Sequence, residues 1–121
     1  MLVLFVLGIP DTVDTVDEAT WSGPLAGNAP LGEAVRPALE RRGWQVAALR
    51  LGKTKPRRLK KPDVIVNCIC DPDIQSRSLG QLAEIVEQSG VPVLNAPSAV
   101  GRTGRVGAWE ALGGQADVCF P

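Results

Sequence analysis

Gly90-Val-Pro-Val-Leu-Asn-Ala-Pro-Ser-Ala-Val-Gly-Arg-Thr-Gly-Arg105 is the most informative run of this sequence. It contains a short apolar run, Val91–Leu94, directly after a glycine, and such a run is typical of a buried strand. Pro97 ends this strand because it has no N–H to donate, and proline suits the first turn of a helix. The stretch therefore predicts a core strand, a tight turn and a helix that carries Arg102 and Arg105.

The same alternation of apolar runs and helical stripes fills the rest of the chain. We expect strands at Leu2–Leu7, Trp44–Leu51, Asp63–Cys70 and Val91–Leu94, and a fifth that begins at Val118–Phe120. The first expected helix has an apolar stripe from Leu31 to Leu39 and a cap at Asn28 or Ala29. Two more are expected over Ser76–Ser89 and from Pro97 to Leu112, the last restarting at Thr103. Strands that alternate with helices predict a parallel sheet with helices on both faces. Right-handed crossovers then give the strand order 2-1-3-4. The prediction is one α/β domain over residues 1–121, a three-layer, Rossmann-like sandwich with an open sheet of four to five strands.

Composition narrows the function classes. The chain has a formal net charge of zero, 45% hydrophobic residues, three cysteines and no histidine. The absence of histidine removes the commonest general base and metal ligand, so we expect neither a catalytic triad nor a metal site. An odd, small number of cysteines favours a reducing compartment, which predicts the cytoplasm. The apolar start of the chain is too short to cross a bilayer, so no membrane partner is expected.

Ten of the thirteen lysines and arginines lie between Arg36 and Lys61. Six of them fall in the predicted loop Gly52–Lys61, where no aromatic residue is interleaved for base stacking. We interpret this loop as a solvated surface, and we regard nucleic acid as an unlikely partner. The segment Asp11–Asn28 has no apolar period and is predicted to be an irregular loop, with Trp21 as its anchor if it is ordered.

Two glycine patterns carry little functional weight. Ala47–Thr54 matches a relaxed phosphate-loop pattern, but its residues suit a strand and no helix follows. Gly101, Gly104 and Gly107 have the wrong spacing for a dinucleotide fingerprint, so close helix packing is the better interpretation.

A ligand site in an open parallel sheet is expected outside the carboxyl ends of the strands, near the point where strand order reverses. The first and third strands meet there, so the candidates for binding a small anionic ligand are Gly8, Pro10, Asn67, Cys70 and Asp71. The alternative for the run Asp71–Asp73 is a turn and a helix cap, and turn chemistry alone explains these residues. Cys68 and Cys70 are interpreted as buried, inert thiols, with Cys70 partly exposed at the strand end.

The run Pro92–Arg105 resembles the end of the small α/β domain that precedes the ATP-grasp fold. That domain occurs in glutathione synthetase and D-alanine–D-alanine ligase relatives, and in bacterial ATP-grasp proteins associated with tetratricopeptide repeats. The residues that match the family pattern by position are Asn95, Pro97, Val100, Thr103 and Arg105. Asp63–Asn67 and the helix after it also look like the preceding unit of that family. One departure is Gly104–Gly107, which replaces the acidic-basic pair that often follows the threonine.

The resemblance implies a non-catalytic N-terminal domain of an ATP-grasp-type protein that contributes to a substrate cleft. Asn95, Arg102 and Arg105 are then the candidate ligand-binding residues, and no catalytic residue is assigned. ATP and magnesium are implied only for a longer parent protein, whose downstream ATP-grasp subdomains or small-molecule substrate would be the partners. Two alternatives stay open: a stand-alone flavodoxin-like module that binds a small anion at the strand ends, and an interaction or dimerisation domain, for which a homodimer is one form.

Overall fold

The computed structural model describes residues 1–12, 29–52 and 60–113, with the side chains of all of these except 29–33. In chain order its elements are β1 (Leu2–Leu7), α1 (Ala29–Glu40), β2 (Gln45–Arg50), β3 (Val64–Asn67), α2 (Ser76–Ser89), β4 (Val93–Leu94), α3 (Pro97–Gly101) and α4 (Arg105–Ala111). The predicted fifth strand, most of the predicted irregular loop with Trp21, and positions 53–59 of the basic loop lie outside the described residues.

The four described strands form one parallel sheet in the order β2-β1-β3-β4, which confirms the predicted topology. In the registers, Leu2 lies opposite Gln45 of β2, and Val6 lies opposite Asn67 of β3. The central strand β1 is therefore flanked on both sides, and its carboxyl end lies beside that of β3.

Alternate residues of β1 supply two separate cores, one on each face of the sheet. Val3, Phe5 and Leu7 pack with Val35 and Leu39, which places α1 on one face. Leu4 and Val6 belong to the core on the other face, together with Leu79 and Leu82 of α2. Because successive strand side chains point to opposite faces, the unbroken apolar run of β1 is what a strand covered on both sides requires. The chain is a three-layer α/β structure.

Two helix boundaries follow from left-handed glycines. Gly90 has φ +63° and ends α2, with its N–H donating to the carbonyl of Val86, and Gly43 has φ +78° in the turn after α1. Residues with a Cβ are strained in this conformation, which is why glycine ends many helices.

The main errors in the predicted boundaries are in β3, β4 and the last helix. β3 ends at Asn67 instead of Cys70, because the Asn67 side chain accepts the N–H of Ile69 and turns the backbone out of the ladder. β4 is limited to Val93–Leu94. The last helix restarts at Arg105 instead of Thr103, since the Thr103 hydroxyl donates back to the carbonyl of Val100.

No helix among the described residues is both long and apolar enough to cross a bilayer.

Candidate functional site

The carboxyl ends of β1, β3 and β4 form the edge where a ligand is expected. Gly8, Asn67 and Asn95 each lie at or directly after one of these strand ends. The parallel registers bring the three strand ends side by side, so this part of the predicted site is assembled by the fold.

A buried serine ties the end of β1 to helix α2. The Ser78 hydroxyl accepts the N–H of Ile9 at 3.1 Å and donates to the carbonyl of Leu51 at 2.8 Å. Gly8 lies against the same helix, and a Cβ built there would be 3.0 Å from the Cβ of Ser78. Gly8 therefore permits close packing of strand and helix, which leaves little room for a ligand beside it.

The amino terminus of α2 is capped by a carboxylate from the loop after β1. Asp11 accepts the backbone N–H groups of Ser76 and Arg77, each at 3.1 Å, and the Ser76 hydroxyl at 2.5 Å. Arg77 also approaches Asp11 to 3.9 Å as an ion pair and donates to its carbonyl oxygen. The residue at the N-cap position, Gln75, makes no side-chain capping bond of its own. Asp11 thus satisfies helix donors that a local cap leaves open.

These contacts also set the protonation of Asp11. Desolvation by itself raises the pKa of this carboxyl group, but the hydrogen bonds from the Ser76 hydroxyl and the two backbone amides, with the Arg77 charge, outweigh it. The net pKa of Asp11 is lower than its ordinary value. The carboxylate is therefore ionised at neutral pH and occupies the position where an external anion would meet the helix.

Two asparagines join the ends of β3 and β4. The Asn67 side chain, which is buried, donates to the carbonyl of Asn95 at 2.9 Å, while the Asn95 side chain donates to the carbonyl of Asn67 at 3.3 Å. Asn95 adopts φ +59°, a left-handed conformation that asparagine tolerates better than most residues. The pair closes the turn between β4 and α3, so these two side chains hold the backbone.

The Asp71–Asp73 run forms the turn that turn chemistry predicts. One Asp71 oxygen accepts the N–H groups of Asp73 and Ile74 at 3.0 and 3.3 Å. Asp73 in turn accepts the N–H of Arg105 at 3.0 Å and thereby caps α4. A Cβ on Gly104 would lie 2.6 Å from an Asp73 oxygen, so this glycine permits close approach of the turn. Of the other glycines predicted to allow close packing, Gly107 has backbone atoms close to where a Cβ would lie, whereas a Cβ on Gly101 would point into open space.

The two predicted arginines lie on the exposed side of this edge. Arg102 ends α3 and is exposed, and Arg105 opens α4 with its side chain 82% accessible. The Nε of Arg105 is 4.0 Å from an Asp73 oxygen, a weak and solvated pair. Both guanidinium groups are thus available to a carboxylate or phosphate. Pro10 is also exposed, at the far side of the β1 end.

The two cysteines differ in exposure, and Cys70 is more exposed than predicted. Cys68 is buried and Cys70 is exposed, and neither is in a disulfide. Desolvation, with the neighbouring Cys70 charge, raises the pKa of the Cys68 thiol to about 11. Because the thiolate is the nucleophile, Cys68 is inert at neutral pH. The described residues contain no group of three or more side chains suited to hold a metal ion.

No protein-family model, curated protein or solved structure matches this chain.

The predicted site residues divide into two groups. In the first group, Asn67, Asp71 and Asn95 bond to backbone groups, and Gly8 allows close packing against side chains. In the second group, Arg102 and Arg105 face solvent. The sequence did not indicate the roles of Ser78 and Asp11, whose side chains connect α2 with the residues that follow β1. One signal was available: α2 begins after a glutamine instead of a Ser, Thr, Asp or Asn, which indicates that its cap comes from elsewhere in the chain.

Proposed function

We propose that this chain is the non-catalytic N-terminal domain of an ATP-grasp-type protein and forms one wall of a substrate cleft. The observation that carries the proposal is the surface of α4 and the residue after it. Val106, Trp109 and Leu112 are 68%, 53% and 41% exposed, and α4 has no buried residue. A short helix with large apolar side chains outward is typical of a surface that another domain covers.

The arginines give this surface a chemical role. Arg102 and Arg105 lie at the start of the same segment, beside the strand ends where a ligand is expected. A domain packed on α4 would place its own surface against them and would complete a cleft that is cationic on this side. Guanidinium groups form charge-assisted, bidentate contacts with carboxylates and phosphates. The substrate class we infer is therefore a small molecule that carries such a group, with ATP and magnesium bound by the later subdomains.

The first alternative, a stand-alone flavodoxin-like module, is less well supported. An anion bound at the strand ends would use the N-terminal amides of α2, but Asp11 already accepts two of them. A ligand would have to displace an ionised carboxylate that is held by hydrogen bonds and an ion pair. The second alternative, a homodimer, uses the same apolar surface of α4, and it differs from the main proposal only in the identity of the covering protein.

The test compares residues 1–121 with the full product of the same reading frame. Hydrogen exchange of the backbone amides of Arg105–Leu112 should be slower in the full product if another domain covers α4. Calorimetry with ATP and magnesium should show heat for the full product and none for residues 1–121. A reading frame that ends at residue 121, or a micromolar dissociation constant (roughly −8 kcal/mol) for residues 1–121, would contradict the proposal.

Variants separate the cleft from the rest of the surface. In the full product, Arg102→Ala and Arg105→Ala should each lower the ATP-dependent rate at limiting substrate about tenfold, as the loss of one charge-assisted contact implies. Arg41→Ala is the matched control, because Arg41 is exposed and lies at the opposite end of the sheet. If the homodimer alternative holds, Val106→Asp would convert residues 1–121 from dimer to monomer in sedimentation equilibrium.

We also infer a cytoplasmic location, since the thiols of Cys68 and Cys70 suit a reducing compartment.

A further inference from the structure

The charges of this chain are strongly segregated although they sum to zero. Residues 36–61 hold ten cations and one carboxylate, and the remainder holds three cations and twelve carboxylates. The fold brings four of these cations to the amino edge of the sheet, opposite the carboxyl edge where the strand-end site lies. Arg41 and Arg42 lie in the turn before β2, and Lys60 and Lys61 lie just before β3.

Backbone hydrogen bonds fix the relative position of these two pairs. The N–H of Gln45 donates to the carbonyl of Met1, and the N–H of Asp63 donates to the carbonyl of Leu2. The two cation pairs therefore flank the start of β1. The strands that follow the two pairs, β2 and β3, are two strand spacings apart, roughly 10 Å, so both pairs belong to the same edge of the sheet.

The four side chains are exposed, and none forms an ion pair with another described residue. Of the carboxylates close in sequence, Glu40 pairs with Arg36 at 2.7 Å, and Asp63 accepts the N–H of Leu2 at 2.6 Å and forms no ion pair with another described residue. Glu84 and Glu87 belong to the later turns of α2, which covers the other face of the sheet. Arg41 and Arg42, which follow α1, therefore lie on the face of the sheet away from these two glutamates.

We propose that this edge binds the phosphate backbone of single-stranded nucleic acid, without sequence preference, through Arg41, Arg42, Lys60 and Lys61. Two cation pairs along an edge match a polyanion with a regular charge spacing, and arginine contacts phosphate through two parallel N–H groups. An anionic membrane fits less well, since surface binding also needs apolar side chains that enter the lipid. Apart from Met1, the exposed large apolar side chains described lie elsewhere, at Ile74, Leu94, Val106, Trp109 and Leu112.

This inference revises the expectation that nucleic acid is an unlikely partner. That expectation rested on the zero net charge and on a basic loop without aromatic residues, whereas the binding proposed here uses the local charge of one edge and needs no base stacking. It is independent of the ATP-grasp proposal, because the two surfaces lie at opposite ends of the strands.

The test is fluorescence anisotropy with a labelled, mixed-sequence 20-nucleotide single-stranded DNA at several salt concentrations. With four phosphate contacts, the slope of log K against log salt should be roughly −3. The double variants Arg41→Gln/Arg42→Gln and Lys60→Gln/Lys61→Gln should each weaken binding at least about fivefold at 50 mM salt and roughly halve the slope. The control Ser98→Glu/Ala99→Glu removes the same net charge at the opposite edge, on exposed positions of α3, and should leave binding within about twofold.

Several results would overturn the proposal. One is the absence of binding at 50 mM salt, and another is an equal loss of affinity in the Ser98→Glu/Ala99→Glu control. Tighter binding to phosphatidylserine vesicles than to the oligonucleotide would assign the edge to a membrane instead. Self-association of the protein that disappears in the Arg41→Gln/Arg42→Gln variant, without DNA binding, would assign it to a second copy of the chain.

Discussion

The two halves of the carboxyl edge of the sheet differ sharply in how they use polar residues. Around β1, β3 and α2, the polar side chains of Asp11, Asn67 and Ser78 all bond to backbone groups distant in sequence. Around α3 and α4, Arg102 and Arg105 are exposed and α4 has no buried residue. We call the first region the linked region and the second the open region. A polar residue at a strand end can therefore serve the fold, and exposure separates such residues from ligand-binding candidates.

The largest contrast is expected between two leucines. Leu82 of α2 is fully buried in the linked region, whereas Leu94 of β4 is 59% exposed beside the open region. Leu82→Ala should destabilise the chain by about 2–5 kcal/mol, because it removes apolar contacts and leaves a cavity. Leu94→Ala should cost less than about 1 kcal/mol. Urea denaturation of both variants measures this, and similar losses would show that a further part of the chain covers Leu94.

Variants of the two paired asparagines test which of the two regions contributes more to the stability of the boundary between them. Asn67→Ala removes the acceptor for the N–H of Ile69 and the donor to the carbonyl of Asn95, and it should cost about 2–3 kcal/mol. Asn95→Gly keeps the left-handed conformation and loses only the longer bond, so it should cost under about 1 kcal/mol. Denaturation midpoints would decide the order. A greater loss for Asn95→Gly would mean that the open region supports the linked one.

Much of this fold can be predicted from the sequence, because it depends on local patterns. The apolar run of β1 and the stripe of α2 predict a sheet covered on both faces, and handedness then fixes the strand order. The roles at the strand ends depend on contacts over long sequence separations. Asp11 caps a helix that begins 65 positions later, and no periodicity or motif in the chain indicates that pairing. Gly8 and Asn67 were thus placed at the correct edge, while their structural roles required the three-dimensional contacts.

The Asp11 cap on α2 should make the stability of the chain depend on pH. Because the pKa of Asp11 is lowered on folding, the ionised carboxylate stabilises the folded state above its unfolded pKa, near 4, and this stabilisation is lost as pH falls through the lower folded value. Asp11→Asn should cost about 1 kcal/mol at pH 7 and should flatten the decline of stability below about pH 4. Glu87→Gln, an exposed change near the other end of α2, is the control and should leave the profile unchanged. Identical profiles for Asp11→Asn and the unmodified protein would contradict the assigned cap.

The smallest expected effects come from two glycine-to-alanine changes, one in each region, which should change the stability of the chain in opposite directions. In the linked region, Gly80 lies inside α2 and a Cβ there would meet nothing within 4 Å. Gly80→Ala should therefore stabilise the chain by about 0.5–1 kcal/mol, since alanine restricts the unfolded chain and favours the helix. Gly104, at the start of the open region, also has no left-handed backbone, but its Cβ would lie 2.6 Å from an Asp73 oxygen and 2.8 Å from the Pro72 ring.

Gly104→Ala should therefore destabilise, by an amount that depends on how far the Asp71–Asp73 turn can move. Because Asp73 caps α4, a shift of that turn would weaken the cap as well as relieve the clash. Thermal melts of Gly80→Ala, Gly104→Ala and the double variant give both signs and their sum. If the linked and open regions are energetically separate, the two effects should add within about 0.5 kcal/mol. A coupling larger than this would mean that α2 and the Asp73 cap respond as one unit, and the division into two regions would then describe exposure alone.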